Sequence, residues 1–113
     1  MWTYRARCLR VIDGDTIKLY VDKGFDNYMI LRVRLLGVNC PEIGTPGYKE
    51  AKAFTYDWME SSKTINSDDW TLTIETKRLD AFGRYLARVR SIKHGSDLSE
   101  DLITKNHGVM VKF

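Results

Sequence analysis

The sequence predicts a mainly β, α+β fold: a closed five-stranded barrel with a helix between strands three and four and a short helix after strand five. Three observations carry that prediction. Apolar and polar residues alternate with period two over five separate stretches. Turn residues separate the first three stretches closely enough for a meander, and only two stretches combine helical spacing with a helix-start signal. With 113 residues, 43% hydrophobic and 29% charged, the chain has the composition of a globular protein and the size of one domain, 1–113.

Taken in order, Trp2 to Ile12 reads as the first strand, with Arg5 and Arg7 alternating against Ala6 and Cys8. The alternation breaks at Leu9-Arg10-Val11, where a bulge is expected. Asp13-Gly14-Asp15 is a hairpin turn, and Thr16 to Val21 follows with Ile17, Leu19 and Val21 inward. Asp22 to Asn27 is a second turn, leading into a strand from Tyr28 to Val38. Thr45 and Pro46 predict a helix start, with Thr45 as N-cap, Pro46 at the first helical position and a buried stripe of Ala51, Phe54 and Trp58. Ser61 to Asp69 is a polar connection. Trp70 to Thr76 is a strand with Trp70, Leu72 and Ile74 on one face. Asp80 to Arg84 is a turn before the last long strand, Tyr85 to Ile92. Asp97 and Glu100 have capping-box spacing ahead of Leu98, Leu102 and Ile103; Gly108 ends that helix, and Val109 to Phe113 adds an edge strand. This order suits a small barrel of the OB type.

Composition excludes several function classes. No apolar run reaches membrane-spanning length, and the N-terminal residues lack the apolar core of a signal peptide, so a cytoplasmic protein with no membrane partner is expected. Cys8 and Cys40 have no metal-ligand spacing and are expected to be reduced thiols. No organic cofactor is expected, and a monomer is. A net charge of +3 leans weakly toward polyanionic partners.

The chemistry concentrates around Arg32 to Glu42, where an alternating strand ends in Gly-Val-Asn-Cys-Pro-Glu. Leu31, Val33 and Leu35 occupy one face and Arg32 and Arg34 the other, so a rigid strand delivers a guanidinium and the next loop a carboxylate. Arg34 and Arg84 each have the planar fork that grips phosphate oxygens, although either alone also suits a solvated strand face. Glu42, after Pro41, is positioned to orient water or take its proton. Asp13 and Asp15 bracket Gly14 and offer oxygens to a hard cation, but Asp-Gly is also ordinary turn chemistry. Asn39 and Cys40 can add a side-chain or main-chain oxygen. Phe82, Tyr85 and Lys49 are the substrate-contact candidates, against the plainer readings of core aromatics and a solvated helix face. His94 and His107 lie in polar turns and carry no predicted role.

Three motifs in register, Val11 to Leu19, Arg32 to Glu42 and Asp80 to Val89, make the chain resemble the staphylococcal nuclease family over nearly its whole length. The resemblance implies an OB barrel and a calcium-dependent phosphodiesterase acting on DNA, RNA or both. It makes Asp15 the direct calcium ligand, Asn39 the second, Cys40 a backbone-carbonyl ligand, and Asp13 a residue that reaches the ion through water. It makes Glu42 the general base, and Arg34 and Arg84 the phosphate-binding pair. Asn39 stands where the family usually has aspartate, Phe82 where a tyrosine is frequent, and the loop after Glu42 is short. The catalytic set is expected to be depleted but not dismantled. The alternative is a weakened or inactive module on the same fold that binds nucleic acid or protein.

Overall fold

The computed structural model describes residues 2–79 and 85–111. In chain order the elements are β1 (Trp2–Asp13), β2 (Thr16–Gly24), β3 (Asn27–Leu35), β4 (Val38–Asn39), α1 (Tyr48–Ser61), β5 (Leu72–Leu79), β6 (Tyr85–Ser91), α2 (Leu98–Thr104) and β7 (Val109–Met110). Five of the strands close a barrel in the order β1-β2-β3-β6-β5. The β3–β6 pair is parallel, with Val33 opposite Tyr85; the other barrel pairs are antiparallel. The predicted mainly β, α+β barrel with its two helices is the observed fold.

Period two explains the closure. Ile17, Leu19, Val21, Val33, Leu35, Leu72, Ile74 and Val89 are fully or almost fully buried, whereas Lys18 and Arg32 between them are exposed. Each such aliphatic side chain contributes about 1.5–3 kcal/mol on leaving water. Closing the sheet also pairs strand edges that would otherwise be open. The predicted bulge is present: the β1–β2 register shifts between Cys8 and Arg10. One extra residue lets Leu9 and Arg10 face outward and returns Val11 to the core.

Several predicted boundaries move. The second turn shrinks to Phe25 and Asp26, both left-handed (φ 54° and 60°), and the flanking strands run further than expected. Adjacent left-handed residues make a hairpin whose twist matches its strands. The long strand from Tyr28 does not reach Val38; it stops at Leu35, because Gly37 turns the chain at φ 88°. Hydrogen bonds from Leu36 N–H to the Ala87 carbonyl and from Ser99 Oγ to the Leu36 carbonyl fix that turn. Residues 38 and 39 then pair with β7, so the predicted edge strand forms a separate two-stranded sheet.

Helix α1 starts later than Thr45 and Pro46 predict. Its N-cap is Gly47, with no side-chain cap, and Thr45 instead closes a turn onto the Glu42 carbonyl through both N–H (3.0 Å) and Oγ1 (2.5 Å). The buried face is Ala51, Thr55, Trp58 and Met59, with Phe54 only half-buried. Helix α2 starts as predicted: the Asp97 carboxylate accepts the Glu100 N–H at 3.1 Å. It ends at Thr104 rather than near Gly108, and Asn106 supplies the left-handed residue (φ 61°). Trp70 lies just before β5 rather than within it, and its ring stacks with Tyr20 and Tyr28 on the outer wall. No helix among the described residues is long and apolar enough to cross a membrane.

Candidate active site

The site forms where the β1–β2 hairpin tip, the end of β3 and the loop after β4 meet beneath α1. Helix and hairpin approach closely. A Cβ on Gly14 would lie 3.0 Å from the Ala51 Cβ and 3.1 Å from the Cys40 Sγ, so glycine here and alanine opposite set the spacing. The buried Thr55 hydroxyl donates to the Gly14 carbonyl at 2.6 Å and ties the helix to the turn. The tip is held from both sides before its carboxylates do anything.

Asp15 is buried, and its Oδ2 accepts the Cys40 N–H at 2.9 Å. The same oxygen faces Nη1 of Arg34 at 3.4 Å. Arg34 sits opposite Thr16 on the outer side of β3 and folds back over the strand end. Its Nη1 donates to the Leu35 (3.1 Å) and Val38 (2.8 Å) carbonyls, and its Nη2 donates to the Asn39 side-chain oxygen. The guanidinium has five N–H donors. Among the described residues, Nε–H and one of the two Nη2 hydrogens have no acceptor, so part of the guanidinium's donor capacity is left for a phosphate oxygen.

Asp13, Asp15, Arg34, Asn39, Cys40 and Glu42 line one cleft of about 390 Å³, together with Thr16, Pro41 and Ile43. Glu42 is exposed at its rim. Three carboxylates against one guanidinium leave the described cleft acidic, so an anionic phosphodiester entering it needs a compensating cation. The available donors are all oxygens: the Asp15 carboxylate, the Asn39 amide and main-chain carbonyls such as that of Cys40. That donor set matches calcium or magnesium in chemistry. Among the described residues no three His, Cys, Asp or Glu side chains converge to hold a metal by themselves, so an ion here depends on the neutral oxygens as well.

Asp13 is held differently. Its Oδ1 accepts the Tyr48 hydroxyl at 2.6 Å, and that bond to a carboxylate raises the Tyr48 pKa above its ordinary value. The Cys40 Sγ lies close to Gly14 and Gly108, and burial pushes its thiol up to about 12, which disfavours a thiolate nucleophile near neutrality. Cys8 is likewise raised to about 11 by burial.

Of the other predicted site residues, Arg84 and Phe82 lie outside the described residues. Lys49 is exposed in the first turn of α1, beside a depression lined by Gly44 to Glu50 rather than in the cleft. Tyr85 opens β6 and packs half-buried against the barrel core. His94 bonds the Ser61 carbonyl and His107 packs on Phe54, away from the cleft. Sequence reasoning missed Tyr48 and Thr55, which fasten the hairpin to α1. Thr55 had a signal, its place on the helical stripe with Ala51 and Trp58. Tyr48 had none, being 35 residues from its partner.

No curated protein matches the chain. Residues 32–112, well over half of its length, match the family described as Staphylococcal nuclease homologue. That match begins on the strand that carries Arg34, runs through Asn39, Glu42 and both helices, and ends beyond β7. Members of that family are generally nucleases, typically calcium-dependent, and their domains bind nucleic acid. The matched stretch supplies Arg34 and residues 39–43 of the cleft, whereas Asp13 and Asp15 lie before it, and the match shows that this chain belongs to the staphylococcal nuclease homologue family.

Proposed function

We propose that the protein is a calcium-dependent nuclease that hydrolyses phosphodiester bonds of DNA, RNA or both by attack of an activated water on phosphorus. The observation that carries the reading is Arg34, fixed by four oxygens yet keeping N–H donors without an acceptor among the described residues, in one cleft with Asp15, Asn39 and Glu42. A fixed cation that need not reorganise is what lowers the barrier as charge builds on phosphoryl oxygens. Glu42 is exposed at the rim, where water reaches it, and is assigned the role of taking the proton as the new P–O bond forms. Arg84 is assigned the second phosphate-binding guanidinium on its motif alone. As the bond to the leaving oxygen breaks, that oxygen takes a proton from solvent.

Calcium would be held by Asp15, Asn39 and the Cys40 carbonyl, with Asp13 acting through water. When bound it supplies charge compensation and polarises the phosphoryl oxygens. A reading without turnover, as a module that only binds nucleic acid or protein, draws on one observation: the neutral Asn39 gives its amide oxygen to Arg34.

The deciding experiment incubates the protein with single-stranded DNA, duplex DNA and RNA, with calcium or chelator, alongside Glu42→Gln. We expect calcium-dependent cleavage that falls about 10²–10⁴-fold in Glu42→Gln, with binding little changed. Equal losses in cleavage and binding would make Glu42 a binding or folding residue. Salt-sensitive binding without cleavage by any divalent ion would establish the non-catalytic module.

A further inference from the structure

The outer wall of β1, β2 and β3 carries a second chemistry, running away from the cleft. Residues directly opposite one another in an antiparallel pair share a face, so the wall can be read row by row from Thr16 and Arg34 at the cleft. The next outward row is Arg10, Lys18 and Arg32, all exposed cations. After it come Arg7, Tyr20 and Ile30, then Arg5, Asp22 and Tyr28. Asp22 is the one acid in these rows, and it is committed to Arg5 at 2.7 Å and to the Gly24 N–H at 2.9 Å.

The rings on this wall form an array. Tyr20, Tyr28 and Trp70 have centroids 5.6 to 6.1 Å apart and planes within 12° of parallel. Arg7 lies 4.9 Å from the Tyr20 ring centre and 5.1 Å from that of Trp70, anchored by a bond to the Asp68 carbonyl. Tyr28 nevertheless remains 48% exposed and Ile30 54%. The barrel interior is already filled by the opposite face of the same strands, so these side chains are not needed to fill it. Parallel aromatic planes beside a row of cations that have no ion pair among the described residues match the two surfaces of an unpaired strand, base faces and phosphates.

We propose that this wall is a binding track for single-stranded DNA leading into the cleft, with bases on the Tyr28–Tyr20–Trp70 array and phosphates on Lys18 and Arg32. The proposal rests on the phosphodiester reading of the cleft for its direction. Tyr28 and Arg34 are six residues apart on one strand, about 20 Å, which spans several nucleotides. A single strand is chosen over a duplex because only it presents base faces. The outward rows of β2 and β3 from Lys18 to Arg32 hold no Ser, Thr, Asn or Gln and Asp22 is occupied, which leaves only the Tyr20 and Tyr28 hydroxyls as neutral side-chain partners for a 2′-hydroxyl. Oligouridylate is the comparison that tests the choice of DNA. The outer face of strands two and three is also the surface that barrels of this architecture offer to oligonucleotides.

The test is fluorescence anisotropy of an oligothymidylate of about twelve nucleotides, in chelator, with cleavage in calcium scored separately. We expect Tyr28→Ala to weaken binding roughly tenfold. We expect the double variant Lys18→Gln/Arg32→Gln to reduce the slope of log affinity against log salt by about 1.4. Both variants alter exposed side chains, and unchanged circular dichroism would certify their fold. Unchanged binding in both overturns the track, and the nuclease reading survives if the protein still cleaves. Loss in both without cleavage by the parent keeps the track and sinks the nuclease reading. Tighter binding of a duplex or of oligouridylate than of oligothymidylate, or no binding of any strand, also overturns it.

Discussion

Asp13 and Asp15 flank one glycine and are chemically identical, yet the fold gives them different work. Asp15 is buried and organises the loop after β4 by accepting the Cys40 N–H while facing Arg34. Asp13 is half-buried and turned to α1, where Tyr48 donates to it. The tip sends one carboxylate to the loop and its neighbour but one to the helix. A carboxylate pair at a hairpin tip is therefore not yet a metal site. Its charge is divided between assembling the cleft and anchoring the helix above it, and on the proposed calcium reading Asn39 would add a neutral oxygen and no charge.

Breaking the Asp15 side should have the larger effect. Asp15→Ala leaves the Cys40 N–H without its acceptor and Arg34 without its counter-charge. We expect a loss of about 2–3 kcal/mol in stability, read as a lower urea midpoint at unchanged m, together with loss of any calcium-dependent activity. A variant as stable as the parent would mean that Asp15 does not hold the loop. Next in size is Asn39→Asp, which returns a second negative charge to the cleft. Calcium should bind roughly tenfold more tightly by calorimetry, even with Arg34 beside it. An unchanged titration would mean that residue 39 does not reach the ion.

The same contrast marks what the sequence could and could not reveal. The barrel was legible because period-two alternation is local: Ile17, Leu19 and Val21 declare their face without reference to another strand. The start of α2 was legible for a similar reason, since Asp97 caps Glu100 three residues away. The start of α1 was not. Thr45 and Pro46 carry the right residue types, but Gly47 adopts a left-handed cap and Thr45 closes a turn on Glu42 instead. Trp70 was misread because a large apolar ring at strand spacing resembles core, and only the closed barrel reveals that it stacks outside with Tyr20 and Tyr28. Within the cleft, residue types pointed to Asp15, Arg34, Asn39 and Glu42. The division of labour between Asp13 and Asp15 depends on Tyr48, a tertiary partner that no spacing rule finds.

That partner gives the mildest test of the comparison. Tyr48→Phe removes one hydroxyl and leaves the Asp15 side intact, so the cleft should persist while the helix anchor weakens. The expected cost at neutral pH is about 0.5–1.5 kcal/mol. The sign with pH is fixed by the raised Tyr48 pKa. A group whose folded pKa lies above its unfolded value stabilises fully below the unfolded value, here about 10, and the contribution is lost as pH rises through the folded one. The parent should therefore lose this increment at strongly alkaline pH, where an ionised phenol would face the Asp13 carboxylate. Tyr48→Phe should show no such step. Urea midpoints at pH 7 and well above pH 10 compare the two, and parallel curves would mean that Tyr48 and Asp13 are neighbours without a stabilising bond.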